Sequence, residues 1–405
     1  MRIAICLPLI ILFPGLQAFG QLYPRLESPE LVYLNSAMPP DLDAAFVDGN
    51  LMMDASLATI KRDAETMDFY FTSYNKITKF NGPLADPFRT KEAGWPRSET
   101  QLFPNDAEFE TGKIQAWIPS IHKLENGDFL GFVHIEDGRL CMGNPPPLDF
   151  YCPDTKYRIG LAYSTNGGWT WKYCGDIIKP HSENGIGGGP GGASSVIGGV
   201  PYLMVGNYVY VYFNEFVNGG SPYQRNSVAR APLADVLTKA QTCAQTGSCA
   251  AAGWIKYNGN TGGWNGESGL TGTASNIIPP YPGYPYSNGD FHSDAIYSTV
   301  LNRYFISAEI ADGYGGSLGL FIYSSSDGVN WENPVLVDNT PGNIFPYSTF
   351  LSLLAASDDT RETGREFYIL YPRKNNPSYW IDDLYKAKYV AYPEISPLMS
   401  FSINN

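Results

Sequence analysis

The side chains with the clearest chemistry stand at the end of one strand-like segment. Residues 128–136 read DFLGFVHIE, so His134 and Glu136 close an apolar run and Asp137 follows directly. An imidazole and two carboxylates at one strand end could supply a general acid or a general base. A solvated turn accounts for the same three residues equally well, and both interpretations stay open.

A second set of candidates surrounds Asp294, which follows His292 in the segment DFHSD and begins another strand-like segment. Its carboxylate could act in catalysis, or it could accept hydrogen bonds from backbone amides of a neighbouring strand. His292 could orient Asp294, bind a cation or be an ordinary polar loop residue. Cleavage of a glycosidic bond by water needs two carboxyl groups that face each other across it, and Glu136 with Asp294 could form such a pair.

Further acidic residues extend these two sets. Glu309 and Asp312 end a later strand-like segment as Glu136 and Asp137 end theirs, which predicts an acidic rim, and we expect Glu309 to contact a ligand. Asp48 precedes the first clear strands and could be a third catalytic carboxylate.

Aromatic and basic residues are the candidate ligand contacts. Trp264 and the segment PPYPGYPY, which ends at Tyr286, could stack on sugar rings, because the apolar C–H faces of sugars pack on aromatic side chains. A cap over a hydrophobic edge is the alternative. Trp117 and Arg158 are further candidates, and Arg158 or Arg230 could neutralise an acidic sugar.

The composition limits which partners fit. The 405 residues include 27 basic and 40 acidic side chains, a formal net charge of −13, so nucleic acids and anionic membranes would be repelled. Charged residues reach only 17% and aromatic residues reach 14%. A carbohydrate fits this composition, although aromatic residues also fill sheet cores. No cofactor is expected, apart from a structural or central Ca²⁺ ion as one option.

The N terminus predicts export. Arg2, the apolar run 3–13 and small residues up to Gly20 have the pattern of a secretory signal peptide over residues 1–21. The remainder, residues 22–405, is expected to be a single domain, monomeric and extracellular or periplasmic. No later segment approaches the roughly 20 apolar residues of a membrane span.

Cysteine usage agrees with an oxidising destination. The short separation of Cys243 and Cys249 predicts a disulfide. Among the other three cysteines of the mature chain we favour Cys141 with Cys152, which leaves Cys174 over. Zinc binding is the alternative role for these cysteines, and no paired CxxC spacing supports it.

The elements that must position these residues are strands. The 42 glycines and 31 prolines break helices and mark tight turns, which favours an all-β fold. Strand-like segments recur in blocks: residues 116–174, 193–257 and 293–337 hold four each, and residues 349–391 hold three. Repeats of a four-stranded antiparallel unit predict a β-propeller.

Five blades account best for the length of the chain. Four blades after residue 114 and one before it give five, and the last block lacks a strand that an N-terminal segment would supply. Residues 69–74, which read FYFTSY, are the candidate for that strand. Short helices are predicted over residues 54–65 and over residues 233–242, where Pro232 favours a helix start.

Two turns resemble those of known propellers. Residues 164–171 read STNGGWTW, which is similar to the Asp-box turn of sialidase-like propellers, with Asn166 in place of the aspartate. Residues 325–331 read SSDGVNW, which is similar to a turn of five-bladed arabinanases and xylosidases. The chain thus resembles uncharacterised secreted members of that superfamily. The resemblance implies the fold over about residues 115–392 and carries no catalytic residue, because the D-P and E-G-P motifs of arabinanases have no clean match.

Three functions remain open at this point. The leading expectation is a secreted glycoside hydrolase of poly- or oligosaccharides in which Asp294 and Glu136 are the working pair. A polysaccharide lyase is the first alternative, in which His134 and a tyrosine exchange protons while Arg158 or Arg230 neutralises a uronate. A non-catalytic carbohydrate-binding propeller is the second, and it is disfavoured because the distinctive segments occur once rather than in every blade.

Overall fold

The computed structural model describes most of the chain as a closed ring of five sheets. The described residues are 23–33, 46–47, 50–51, 55–73, 75–91, 101–104, 106–110, 114–139, 156–180, 197–216, 224–247, 249, 253–265, 268–284, 288–312, 316–352, 361–373 and 383–392. Each sheet is one blade of a β-propeller, which confirms the predicted all-β, five-bladed fold with antiparallel blades.

The strands follow the chain in order. Before the first blade come β1 (Tyr23–Leu26), β2 (Glu30–Tyr33), β3 (Phe46–Val47) and β4 (Asn50–Leu51). Blade one holds β5 (Ala58–Lys61), β6 (Thr66–Ser73), β7 (Lys76–Pro83) and β8 (Thr90–Lys91), and blade two holds β9 (Ile114–Lys123), β10 (Phe129–Asp137), β11 (Lys156–Ser164) and β12 (Lys172–Ile178). The short helix α1 (Ala107–Glu110) lies between them.

The later blades are more irregular. Blade three holds β13 (Ile197–Gly198), β14 (Tyr202–Val205), β15 (Tyr208–Phe216), β16 (Gln224–Pro232) and β17 (Ile255–Lys256), with helix α2 (Leu233–Thr246) after β16. Blade four holds β18 (Asn288–Asp290), β19 (Ala295–Ser298), β20 (Arg303–Ala311), β21 (Ser317–Ser325) and β22 (Trp331–Asp338). Blade five holds β23 (Thr349–Leu351), β25 (Glu366–Arg373) and β26 (Asp383–Tyr392), and the connecting strand β24 (Glu362–Thr363) runs parallel to β19.

Five buried hydrophobic clusters fill the five interfaces between neighbouring blades. The cluster between blades five and one joins Phe69, Phe80 and Phe88 to Leu351 and Leu370, so hydrophobic packing continues across the closure. Each blade buries both of its faces, and burial of apolar area is the main force that holds the ring together.

The N-terminal strands supply the outer strands of blade five. Both β1 and β2 pair with β26 in antiparallel register, with Pro24 opposite Ala391 and Leu31 opposite Tyr385. The prediction that an N-terminal segment completes the last blade is confirmed, but the choice of residues 69–74 was wrong. Residues 69–73 belong to β6, the second strand of blade one, which packs against blade five through side chains.

Of the two predicted helices, one is absent and the other is confirmed. The prediction for residues 54–65 was wrong: Ala58–Lys61 is the inner strand β5, and its first three residues are all buried. Burial between two blades outweighs the helix propensity of this Ala-rich segment. Helix α2 is confirmed and extends to Thr246, where Gly247 adopts a left-handed conformation that ends it.

The blades define two faces of the ring. The upper face carries the ends of β10, β15, β20 and β25, and the lower face carries the turns at residues 126–127 and 206–207. No helix among the described residues is long and apolar enough to cross a membrane.

The turn at residues 325–331 has the geometry that its sequence indicated. The carboxylate of Asp327 accepts hydrogen bonds from the backbone N–H groups of Val329 (2.8 Å) and Asn330 (2.7 Å) and from the Ser325 hydroxyl (3.0 Å). Trp331 then packs 5.5 Å from Tyr212 of blade three, ring centroid to ring centroid. Burial acts to raise the pKa of Asp327, but these donors outweigh it and hold that pKa below its usual value.

Replacement of Asp327 tests this turn. Asp327→Ala removes the acceptor of two backbone amides and should lower the free energy of unfolding by about 1–2 kcal/mol, measured by urea unfolding. Asp327→Asn should cost less, because Asn166 bonds the amides of Trp169 and Thr170 in the equivalent turn of blade two. The aspartate stabilises the fold at neutral pH and loses this effect as the pH falls through its lowered folded-state pKa, so the Asn variant should show a flatter loss of stability in acid. Equal stability of all three proteins would contradict this role.

Candidate functional site

His134 and Glu136 come together at the upper face of the ring. They are two residues apart on β10, so their side chains leave the same face of the strand. Nε2 of His134 lies 3.3 Å from Oε1 of Glu136. The indole of Trp117, on the neighbouring strand β9, lies 5.6 Å from the His134 ring. His134 is buried while the Glu136 side chain keeps 19% of its surface exposed.

Tyr157 adds a phenol to this pair. It lies opposite Glu136 in the β10–β11 register, and its ring centroid is 6.0 Å from that of His134. Burial and the negative charge of Glu136 raise the pKa of Tyr157 far above its usual value. The phenol therefore keeps its proton at neutral pH and can act as a hydrogen-bond donor.

His292 reaches the same place from blade four. The inner strand of that blade is interrupted between β18 and β19, and His292 lies in the interruption. Its ring is 5.6 Å from that of His134 and 5.9 Å from that of Tyr347. A Cβ atom on Gly198 of β13 would stand 2.4 Å from the imidazole, so the close approach requires glycine at that position.

Tyr347 holds its place at a conformational cost. Its backbone φ is +62°, a left-handed value that a bulky residue rarely adopts. Strain of this kind is of order 1–3 kcal/mol and tends to occur at functional sites. Trp117, His134, Glu136, Tyr157, His292 and Tyr347 are called the mouth cluster below.

Asp294 does not open onto this cluster. It is 2% exposed, and its carboxylate accepts hydrogen bonds from the backbone N–H groups of Ala295 (2.8 Å) and Phe350 (2.9 Å) and from Arg361. Burial raises its pKa against the opposing effects of Arg361 and these amides. Both oxygens are engaged by the protein, which is the alternative that the sequence left open: a carboxylate that ties blade four to blade five.

Arg361 extends this tie to other blades. Its guanidinium donates to the hydroxyl of Thr59 on β5 (3.0 Å) and lies 5.7 Å from the ring centroid of Tyr202 on β14. The Tyr202 hydroxyl in turn donates to the carbonyl of Ile121 on β9 (2.9 Å). The ion pair and its neighbours thus connect all five blades near the axis.

Arg158 and Asp137 belong to a second ionic network. Arg158 pairs with Asp137 (3.0 Å), Asp176 (3.0 Å) and Glu108 (2.5 Å). Burial acts to raise the pKa of Asp137, but hydrogen bonds from Arg139 and the charge of Arg158 outweigh it and hold the pKa below its usual value. Arg158 is therefore committed to three carboxylates, which disfavours the expected role as a uronate ligand.

The remaining candidates are spread over the molecule. Glu309 is half-buried and lies near the upper end of β20. Asp312, in the following turn, accepts a hydrogen bond from the backbone N–H of Gly316. Trp264 lies on blade three near the lower face, against Tyr210 and Tyr257, away from the mouth cluster.

Some expectations fall outside the described residues. They include Asp48, Tyr286 and the pairing of Cys141 with Cys152. The bond between Cys243 and Cys249 is present, as predicted, and Cys174 is a buried free cysteine. The part of the chain that is described holds no group of three or more His, Cys, Asp or Glu residues arranged for a metal ion. A central Ca²⁺ stays a prediction.

Sequence reasoning missed Tyr157, Tyr347 and Arg361. Tyr157 could have been found, because the hairpin register that begins at residues 129 and 164 places it opposite Glu136. The left-handed backbone of Tyr347 and the approach of Arg361 to the axis depend on tertiary packing and left no local signal in the sequence.

Comparisons with known proteins give structural likeness only. No protein-family model matches the chain, and no curated protein matches it. The chain is similar to the α-L-arabinanase of Penicillium chrysogenum solved with arabinobiose, at 11% identity over 90% of this chain and 98% of that one, with a TM-score of 0.46. It is similar to the α-L-arabinofuranosidase of Lactobacillus brevis at 11% identity (86% and 92%, TM-score 0.45) and to a Dyadobacter fermentans protein of unknown function at 11% identity (91% and 99%, TM-score 0.44).

The variant Asp294→Asn tests whether Asp294 has a structural or a catalytic role. Removal of one partner of a buried ion pair leaves the other charge uncompensated and typically costs about 3–5 kcal/mol, so we expect a large fall in the melting temperature. Activity per folded molecule should survive, because the side chain has no open space for a substrate. A normal melting temperature together with activity reduced by orders of magnitude would make Asp294 catalytic after all.

Proposed function

We propose that this protein is an exported carbohydrate-active enzyme, and that it is a glycoside hydrolase whose active site is the mouth cluster. The observation that carries the proposal is the His134–Glu136 pair, which stands at the upper face beside the aromatic rings of Trp117 and Tyr157. A carboxylate held by an imidazole supplies proton transfer, and aromatic rings supply the surface on which a sugar stacks. The signal-like N terminus and the Cys243–Cys249 bond support export.

Glu136 acts as the general base in this proposal. Nε2 of His134 lies 3.3 Å from Oε1 of Glu136 and holds the carboxylate in place. Glu136 then takes a proton from water while the water oxygen attacks the anomeric carbon and the bond from that carbon to the leaving oxygen breaks. Tyr157 and His292 would orient the sugar from opposite sides.

The general acid needs a second carboxyl group. Asp294 is engaged in the ion pair with Arg361. We therefore propose Glu309 as the general acid, because its position near the end of β20 corresponds to that of Glu136 near the end of β10. Its proton passes to the leaving oxygen. The original pair of Glu136 with Asp294 is thereby replaced by Glu136 with Glu309.

A polysaccharide lyase is the second candidate, and the contact of His134 with a protonated Tyr157 favours it. In that reaction a base removes the proton next to the uronate carboxylate, a carbon–carbon double bond forms, and an acid protonates the leaving glycosidic oxygen. His134 would be the base and Tyr157 the acid. The candidate cation Arg158 is paired with three carboxylates, which weighs against this function.

Substitution of Glu136 tests the hydrolase directly. On a polysaccharide that the protein cleaves, Glu136→Gln should lower turnover by about 10²–10⁴-fold with little change in melting temperature. Glu125→Gln is the matched control, because Glu125 is exposed at the opposite end of the same hairpin, and its turnover should equal that of the unmodified protein. Full activity of Glu136→Gln would reject the proposed site.

Tyr157→Phe and product analysis distinguish the two reactions. Hydrolysis releases new reducing ends without ultraviolet absorbance, and Tyr157→Phe should lower turnover less than tenfold because the phenol only orients the sugar. A lyase releases an unsaturated sugar that absorbs in the ultraviolet and should lose two orders of magnitude or more in the same variant. The second result would replace the hydrolase by the lyase.

A further inference from the structure

Arg230 is held in a distinctive aromatic setting on blade three. Its guanidinium carbon lies 4.3 Å from the ring centroid of Tyr208 and 4.1 Å from that of Trp264, distances of strong cation–π contact. One guanidinium nitrogen also donates to the hydroxyl of Tyr210 (3.2 Å). Tyr208, Trp264 and Arg230 are each only partly buried, so the group reaches the surface.

Four other arginines that are buried or partly buried balance their charge with a carboxylate. Arg158, Arg303, Arg361 and Arg373 each form an ion pair with an aspartate or a glutamate. Among the ion pairs of the described residues, none includes Arg230. Arginine without an acidic partner is a local site of attraction for an anion, although the net charge of −13 acts against it over longer distances.

Asp327 of blade four does not fill that role. Its charge acts on Tyr210 across the blade interface. Its oxygens already accept hydrogen bonds from the backbone N–H groups of Val329 and Asn330.

The aromatic setting is built by local structure. Trp264 follows a closed loop in which Asn258 and Gly263 exchange backbone hydrogen bonds of 2.8 Å in both directions. Gly262 and Gly263 have φ values of +90° and +87°, which glycine adopts without strain. Tyr257 packs on the Trp264 ring at 5.2 Å. Trp264 and Arg230 are therefore positioned before any ligand arrives.

This group lies far from the mouth cluster. Strand β16 runs from Gln224, opposite Phe216 near the upper face, to Pro232, opposite Tyr208 at the lower face. Arg230 is six residues from the upper end, about 20 Å along an extended strand.

We propose that Arg230, Tyr208 and Trp264 form a binding site for a carboxylate-bearing sugar, a uronic acid unit of a polysaccharide, at the lower face. The planar guanidinium fork matches a carboxylate, and the exposed parts of the two rings offer the surface on which the apolar side of a sugar lies. The site uses none of the residues of the mouth cluster, so it goes beyond the proposed hydrolase activity and stands independently of it. It would hold an acidic polymer while another part of the polymer reaches the upper face.

Calorimetric titration with defined galacturonic acid oligomers tests the site. The unmodified protein should bind them, and neutral galactose oligomers should bind at least tenfold more weakly. Arg230→Gln should weaken binding of the acidic oligomer at least tenfold. The matched control is Arg365→Gln, an exposed arginine in the turn before β25, which removes the same charge and should leave binding unchanged. Raised salt should weaken binding to the unmodified protein.

Two further variants keep the test decisive if Arg230→Gln is poorly folded. Arg230→Lys keeps the charge but loses the flat fork, and Trp264→Leu removes one of the two rings that contact the guanidinium. Each variant should weaken binding at least threefold in protein with a normal melting temperature. Absence of binding, equal binding by all Arg230 and Trp264 variants, equal weakening by Arg365→Gln, or binding of sulfated oligomers alone would each overturn the proposal. Because the readout is binding, failure of the hydrolase assay leaves this result unaffected.

Discussion

The ion pair between Asp294 and Arg361 lies where the five blades converge. Two buried charges are costly to remove from water, and they are tolerated only when each is paired and hydrogen-bonded. Here the aspartate also accepts hydrogen bonds from the backbone amides of Ala295 and Phe350, while the arginine donates a hydrogen bond to the hydroxyl of Thr59. Hydrophobic clusters hold each blade to the next around the ring, whereas this pair links blades one, four and five at once near the axis.

The position of the pair also bears on the proposed site. Because both oxygens of Asp294 are engaged in the tie, we assign the proposed proton transfer to side chains nearer the upper face, where β10 places His134 and Glu136 and the interruption of blade four places His292. Glycine at position 198 and the strained backbone of Tyr347 are the local adjustments that let these rings approach one another. The fold and the proposed site are thus two consequences of how the inner strands meet.

The sequence predicted what local patterns encode. Recurring blocks of strand-like segments, separated by turns rich in glycine and proline, indicated the blades. Pro232 indicated the start of helix α2, and short spacing indicated the Cys243–Cys249 bond. It also placed His134 and Glu136 together, because they belong to one strand. The identity of the closing strand and the fate of Asp294 could not be predicted, since β1 pairs with β26 and Asp294 pairs with Arg361 across long separations in the chain.

The histidines offer the most direct test of the proposal that a saccharide binds at the upper face. The chain has only four of them, so selective isotope labelling gives few imidazole signals, and these can be followed by nuclear magnetic resonance during titration with the saccharide that the protein cleaves. We expect the signals of His134 and His292 to shift together and saturate, while that of His122, whose Nδ1 lies 3.4 Å from the Tyr202 hydroxyl, stays in place. Saturable binding with His134 and His292 unmoved would contradict it.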